Sequence, residues 1–284
     1  MGDALSDFAD SLATPAPDRS TVAERRAIVW ELMRTADLGV WDIFESGSFT
    51  HGTAVPVSDV DYMARTSPDR RPQLPSTALH RVKDAFAGCY HVREVRVSSP
   101  AVKVTFWTPP HFEVAPAFDI DTSRADDVFV IAGPNEEWVR SAPSAHNRYV
   151  SAQNDRLGKR VKPLVRLLKA WKYHSGVPIS STYLELRTAQ YAATQTSIVY
   201  GVDLAAMFDV MLSHALADMN DPLGIVQRIR PCSSEVNRHK AMAEMHRASS
   251  TLAQAEDARR GDDAATYWGR MVDLFGNTFP YRMW

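Results

Sequence analysis

Residues 45–65 read ESGSFTHGTAVPVSDVDYMAR, and the two aspartates one residue apart constrain the chain more than any other feature. The segment VWDIFESG before them alternates apolar and polar residues, as a strand does. DVDYMAR reads as a second strand, on which residues two apart point the same way. Asp59 and Asp61 therefore share one face, and Val60 and Tyr62 the other. Adjacent carboxylates repel, and each raises the other's pKa unless a cation sits between them. A divalent ion such as magnesium, which prefers carboxylate and phosphate oxygens, meets that need. Upstream, Gly47 allows a tight turn, and Ser48 offers a hydroxyl and an N–H. A short helix starting there would aim free N–H groups at an anion.

An isolated Asp-x-Asp is usually a solvated strand or turn, and an isolated Gly-Ser turn says little. Their combination, with Ser48 eleven residues before Asp59, is far more specific. A third acid is expected from a neighbouring strand. HFEVAPAF supplies Glu113 among apolar residues, where a bare charge is costly. Asp119 and Asp121 are set aside because DIDTSRADD reads as a loop.

The remaining pattern is a mixed α+β half followed by a helical half. Residues 3–12 suggest a short amphipathic helix, broken by TPAP. Ser20 is a candidate N-cap for a helix reaching about Ala36. PSTALHRVKDAFAGCY reads as a helix ending near Gly88. HVREVRVSS, AVKVTFWT and FEVAPAF read as strands, and AGPNE as a turn closing this half. Residues 145–176 suggest one long basic helix, bent before Pro163. SSTYLELRTAQYAATQ, VDLAAMFDVMLSHALADM and EVNRHKAMAEMHRASSTLAQAEDARRG read as further helices. The domain boundary is expected near residue 140: a catalytic core over 1–140, its N-terminal helices packing across both lobes, and a helical lobe over 141–284.

On the basic helix, Lys162, Arg166 and Lys169 share one face, while Leu164, Leu167, Leu168 and Trp171 form the apolar stripe. Most of its cations read as a solvated face. His51 reads as a spacer residue, and His174 as a partner for carbonyls at the helix end. Trp107, Tyr183 and Tyr191 read as core aromatics, any one of which could instead stack on a base. The aromatic tail GNTFPYRMW reads as docked rather than free.

A net charge of −2 over 284 residues gives no sign of nucleic-acid binding by overall charge. The two cysteines, Cys89 and Cys232, have neither zinc-ribbon spacing nor the look of a disulfide framework. With no signal-like N-terminus and no long apolar run, a soluble, cytoplasmic protein is expected.

GSFTHGTAVPVSDVD resembles the nucleotidyltransferase signature of the DNA polymerase β superfamily. With FEVAPAF, KPLVRLLKAWKYHSG, ISSTYLELRTAQYA and DPLGIVQRIRPCSS, the chain is similar to the bacterial cGAS/DncV-like nucleotidyltransferases (CD-NTases), over about residues 20–275. The helical segments also resemble 2′-5′-oligoadenylate synthetases. The resemblance implies a bilobed α+β fold, with a mixed sheet, flanking helices and a helical C-terminal lobe. Gly47 and Ser48 would hold triphosphate oxygens. Asp59, Asp61 and Glu113 would be catalytic and bind two Mg²⁺ ions, for which Mn²⁺ can substitute. Aspartate is more usual than glutamate at the third position. Lys169 and Ser181 match positions that contact the donor triphosphate.

The implied activity joins ATP, with GTP, UTP or CTP as possible co-substrates, into a cyclic di- or trinucleotide second messenger, releasing pyrophosphate. The implied setting is bacterial anti-phage (CBASS) signalling by a monomer, with a regulatory protein partner possible. Direct activation by double-stranded DNA is not expected, because the zinc insertion of the animal synthase is absent. A template-independent transferase acting on RNA or protein is the alternative reading. An inactive nucleotide-binding scaffold is a third, which the intact acids at 59, 61 and 113 argue against.

Overall fold

The computed structural model describes residues 4–13, 19–121 and 127–280. Helix α1 (Ala4–Ser11) precedes α2 (Arg19–Thr35). Strand β1 (Val40–Ser46) runs directly into the short helix α3 (Gly47–His51). Strand β2 (Val60–Thr66) follows, then α4 (Pro75–Asp84), β3 (Val92–Ser98), β4 (Ala101–Phe106) and β5 (Phe112–Asp121). Two further strands, β6 (Val128–Ala132) and β7 (Trp138–Ser141), end this half. These last two were not anticipated, because AGPNE between them reads as a turn that closes the sheet region.

The strands form one mixed sheet of order β1-β2-β5-β4-β3, with β6 on β5 and β7 on β6. β2 and β5 run parallel, which requires a crossover; α4 and the β3–β4 hairpin supply it. Pro116 lies where β5 changes antiparallel partner. Pairing with β4 ends at Val114, and pairing with β6 begins at Phe118. A residue without an N–H is tolerated at such a gap.

β5 extends to Asp121, so Asp119 is on a strand rather than in a loop. Asp119 is buried, and Arg65 of β2 donates to it at 2.9 Å. Residues 122–126 of the acidic segment lie outside the described residues.

The helical half comprises α5 (Pro143–Arg156), α6 (Val161–His174), α7 (Ser181–Ala192), α8 (Tyr200–Ser213), α9 (Glu235–Arg260) and α10 (Ala264–Phe275). The single long helix expected over 145–176 is thus two helices. Gly158 and Lys159 both take left-handed backbone at φ 62° and 66°, which ends α5. Pro163 then falls in the first turn of α6, where a missing N–H costs little. Likewise, left-handed Ala215 and Leu216 stop α8 earlier than its pattern suggests.

Two cores hold the halves. Leu164, Leu167, Leu168 and Trp171 of α6 are buried with Met207, Phe208, Met245 and Trp268, and α1 adds Leu5 and Phe8 to the same core. Val60, Tyr62, Val102, Val104, Phe112 and Val114 fill the sheet core, against Val29 and Met33 of α2. α1 therefore packs with the helical half and α2 with the sheet. Phe279, part of the aromatic tail, is buried against Phe8 and Trp268, while residues 281–284 lie outside the described residues.

Tyr183 is fully buried, as expected of a core aromatic, and Tyr191 is partly buried. Trp107 is instead 66% exposed, with its indole N–H on the Tyr90 carbonyl. It follows the last residue of β4 and lies in the exposed loop that leads into β5. Cys89 and Cys232 are both free thiols. No helix of the described residues is long and apolar enough to cross a membrane.

Candidate active site

The parallel pairing of β2 and β5 places Asp61 opposite Glu113, and the antiparallel pairing of β5 and β4 places Glu113 opposite Lys103. Paired residues of adjacent strands project from the same face. Asp61, Glu113 and Lys103 therefore form one row across three strands. Val60 and Tyr62, buried at 1% and 2%, anchor the opposite face of β2 in the sheet core. Asp59 stands just before β2, and the Lys103 ammonium donates to its Oδ2.

Gly47 closes the row on the other side. Its φ is +68°, and a Cβ built on it would lie 1.8 Å from Asp61 Oδ2. Only glycine gives both the left-handed turn and the space for that carboxylate. The N–H of Ser48, next along α3, donates to Asp61 Oδ2 at 3.4 Å. The strand–turn–strand reading of residues 40–65 thus has a specific geometric content: the turn is built around the second aspartate.

Asp61 and Glu113 are poorly compensated. Burial, with the charge of Glu113 next, pushes the Asp61 carboxyl up to about 7. Glu113 is also raised, by burial first and by Asp59 second. Asp61 and Glu113, raised towards their neutral forms, and Asp59 beside them are hard oxygen donors that suit a Mg²⁺-type cation. Even so, no three His, Cys, Asp or Glu side chains among the described residues stand gathered as a metal site. In this arrangement Asp59 accepts from the Lys103 ammonium.

Across the cleft lies a second charged cluster. Glu185 of α7 is buried at 5% and Lys169 of α6 at 1%. The Lys169 ammonium donates to Glu185 Oε1 at 2.5 Å and to Thr53 Oγ1 at 3.1 Å. Thr53 Oγ1 donates to Glu185 Oε1 at 2.6 Å, and His51 Nδ1 lies 2.9 Å from Glu185 Oε2. Burial alone would raise the Glu185 carboxyl, but Lys169, with His51, holds it well below the usual carboxylate range.

His51 ties the end of α3 to the helical half. The basic face of α6 is not simply solvated either. Arg166 donates to the carbonyls of Gly52 and Ala9.

Ser181, at the start of α7, accepts from Lys172 at 2.8 Å. Burial, and then Lys169, lower the Lys172 ammonium to about 8. Tyr173, 42% exposed, is the aromatic ring of α6 that faces the cleft. The cleft has a volume of about 360 Å³ and is bounded by Gly47, Ser48, Asp59, Asp61, Glu113, Lys169, Tyr173, Ser181 and Glu185. All seven residues singled out from the sequence thus border one cavity. Lys169 does so while committed to Glu185.

Sequence reasoning missed Lys103, Lys172, Tyr173 and Glu185. Lys103 left a signal, as the one charged residue in the apolar run AVKVTF. Lys172 lies one turn beyond Lys169. His174 is on the rim of the helical core, its ring 2.5 Å from where a Gly276 side chain would begin.

Residues 1–154 match the family model described as SMODS, the Second Messenger Oligonucleotide or Dinucleotide Synthetase domain. No curated protein matches the chain by sequence. Among solved structures, the chain is similar to CdnC of E. coli MS115-1, solved with ATP. The TM-score is 0.73 at 17% identity, covering 98% of each chain. It is also similar to the CD-NTase CdnG of Bradyrhizobium diazoefficiens in complex with GTP, with a TM-score of 0.72 at 14% identity, covering 97% of this chain and 95% of that one. The di-nucleotide cyclase DncV of Vibrio cholerae matches with a TM-score of 0.62 at 15% identity, over 98% of this chain and 86% of that one. At these identities the likeness shows a shared fold, the bilobed polymerase β-like α+β architecture.

Proposed function

The chain belongs to the Second Messenger Oligonucleotide or Dinucleotide Synthetase family of nucleotidyltransferases, and from that premise we propose that it joins nucleoside triphosphates into a cyclic di- or trinucleotide. The observation that carries this reading is the row of Asp61 and Glu113, with Asp59 beside it, built against the side-chain-free Gly47 turn. The cavity volume falls in the range of small-molecule sites.

Gly47 and Ser48 hold the donor triphosphate in this reading, with Lys172 and Ser181 facing it from the helical side. Lys169 acts from behind them, through Glu185. The 2′ or 3′ hydroxyl oxygen of a second nucleotide attacks the α-phosphorus, and the bond to pyrophosphate breaks. Glu113, whose raised carboxyl lies at the centre of the row, takes the hydroxyl proton on a carboxylate oxygen. Asp59, Asp61 and Glu113 would hold two Mg²⁺ ions, which when bound supply Lewis-acid stabilisation of the developing phosphate charge. Tyr173 offers a ring for a nucleobase at the cleft wall. Positioning contributes the rest, since the two reactants are held in one cleft.

The setting in this reading is bacterial anti-phage signalling, and ATP is the first substrate to test. A regulatory protein partner fits the same reading, since the E. coli CdnC relative was solved in complex with HORMA-deltaN. The test incubates the protein with each labelled triphosphate, singly and mixed, with Mg²⁺ or Mn²⁺. Products are then treated with phosphatase and identified by mass spectrometry. Phosphatase-resistant cyclic products are expected. Label transferred only to added RNA or protein would replace this reading with a tailing or protein-modifying transferase. Nucleotide binding without turnover would leave a scaffold.

A further inference from the structure

Lys103 has no part in the triphosphate contacts above, yet its ammonium is on Asp59. It reaches there from β4 across Glu113, its partner in the strand register. Val102 and Val104, on either side, are fully buried in the sheet core. The backbone of β4 is thereby fixed, and only the four-carbon stem of Lys103 can move. Its side chain is 31% exposed, so the head group can withdraw into solvent without leaving a buried charge.

The site of its contact matters. A divalent ion bridging Asp59 and Asp61 needs the Asp59 carboxylate, and the ammonium already holds its Oδ2. A divalent ion placed against the same carboxylate is repelled by that ammonium at close range, which weakens its binding. The lysine supplies one positive charge to a row of three carboxylates. It therefore relieves the repulsion in part, and it leaves Asp61 and Glu113 to receive a metal ion that a triphosphate brings with it.

Resting on the metal-site reading of Asp59, Asp61 and Glu113, we propose that Lys103 is a tethered cation that occupies the Asp59 position in the nucleotide-free protein. Divalent ions alone then bind weakly, and productive metal binding is coupled to arrival of the triphosphate. Lys103 is a positioning residue in this scheme: it sets the order of assembly rather than touching the reacting atoms.

The test titrates Mn²⁺ into nucleotide-free wild type, Lys103→Met and Lys103→Arg, following loss of the free aqueous Mn²⁺ electron paramagnetic resonance signal. Lys103→Met should bind Mn²⁺ about tenfold tighter than wild type or more. Lys103→Arg, which keeps the charge, should stay near wild type. Adding Asp59→Asn to Lys103→Met should remove the gain. Melting curves check folding, and Lys103→Gln replaces Lys103→Met if that variant unfolds.

Equal or weaker Mn²⁺ binding by the neutral variant overturns the proposal. A parallel titration with a fluorescent ATP analogue, with and without Mn²⁺, separates the two readings. Metal-dependent nucleotide binding with no gain in Lys103→Met defeats the role of Lys103 alone. Nucleotide binding indifferent to Mn²⁺ in every variant defeats the metal site as well.

Discussion

The two charged clusters that face the cleft are built on opposite plans. On the sheet side, Lys103 bonds Asp59 alone, and the other two carboxyls, Asp61 and Glu113, are raised towards their neutral form. On the helical side, one carboxylate meets Lys169, His51 and Thr53, and is held firmly ionised. The first cluster is short of positive charge and gains by binding a cation. The second is already satisfied by hydrogen bonds and an ion pair, and gains nothing from a ligand. On the proposed reading, the difference gives chemistry to Asp59, Asp61 and Glu113, and support to Glu185, His51 and Lys169. Buried polar groups in satisfied networks fix geometry; uncompensated ones mark sites of function.

This contrast can be broken by mutation, and the largest effect belongs to the sheet side. Asp59→Asn combined with Asp61→Asn should lower product formation by about 1,000-fold or more. The fold should persist, because the change relieves repulsion. Circular dichroism and a melting curve, run beside the activity assay, check both halves of that statement.

Gly47→Ala comes next. The added Cβ would strike Asp61 Oδ2, and alanine resists a φ of +68°. A displaced carboxylate should cost about 100-fold in activity, with a stability loss of about 1–3 kcal/mol. Steady-state kinetics and urea unfolding measure the two separately.

The helical cluster should respond in the opposite sense, with stability first. Glu185→Gln leaves the Lys169 ammonium buried without its counter-charge and should destabilise by about 3 kcal/mol. Acid should erase that difference. The Glu185 carboxyl lies below the usual range in the folded chain. Its contribution is therefore fully present above the unfolded-state value of about 4.3 and is lost as pH falls through the folded value. Urea unfolding of both proteins at pH 7, 5 and 3 should show the gap narrowing only in acid.

His51→Ala gives the smallest effect. It removes one of several bonds to Glu185 and should cost about 1–2 kcal/mol. Activity should fall far less than in Gly47→Ala. If His51→Ala instead matched the aspartate double variant in activity, the division between the clusters would fail.

The same division explains what was legible in the sequence. Gly47, Ser48, Asp59 and Asp61 lie within fifteen residues, where strand periodicity and turn chemistry are local rules. Glu113 was legible as a charge stranded in an apolar strand. Glu185 was not, because its partners are 16, 132 and 134 residues away, and only tertiary packing joins them. The break between α5 and α6 was misplaced for a related reason. Apolar residues at Val150, Leu157, Val161 and Leu164 keep helical spacing across the break, whereas the left-handed backbone at Gly158 and Lys159 does not appear in that pattern. Asp119 was taken for a loop residue because the acids around it hide the strand. Its pairing with Arg65 supplies the charge balance that lets β5 continue.

The central claim, that the sheet-side row is the reaction centre and the helical cluster its support, is tested most directly by a crystal structure with Mg²⁺ and a non-hydrolysable ATP analogue. The account predicts metal density between Asp59, Asp61 and Glu113, the triphosphate on Gly47 and Ser48, Lys103 withdrawn from Asp59, and Glu185 still on Lys169. A nucleotide bound away from Gly47, or Asp59 still held by Lys103 with metal and nucleotide both in place, would contradict it.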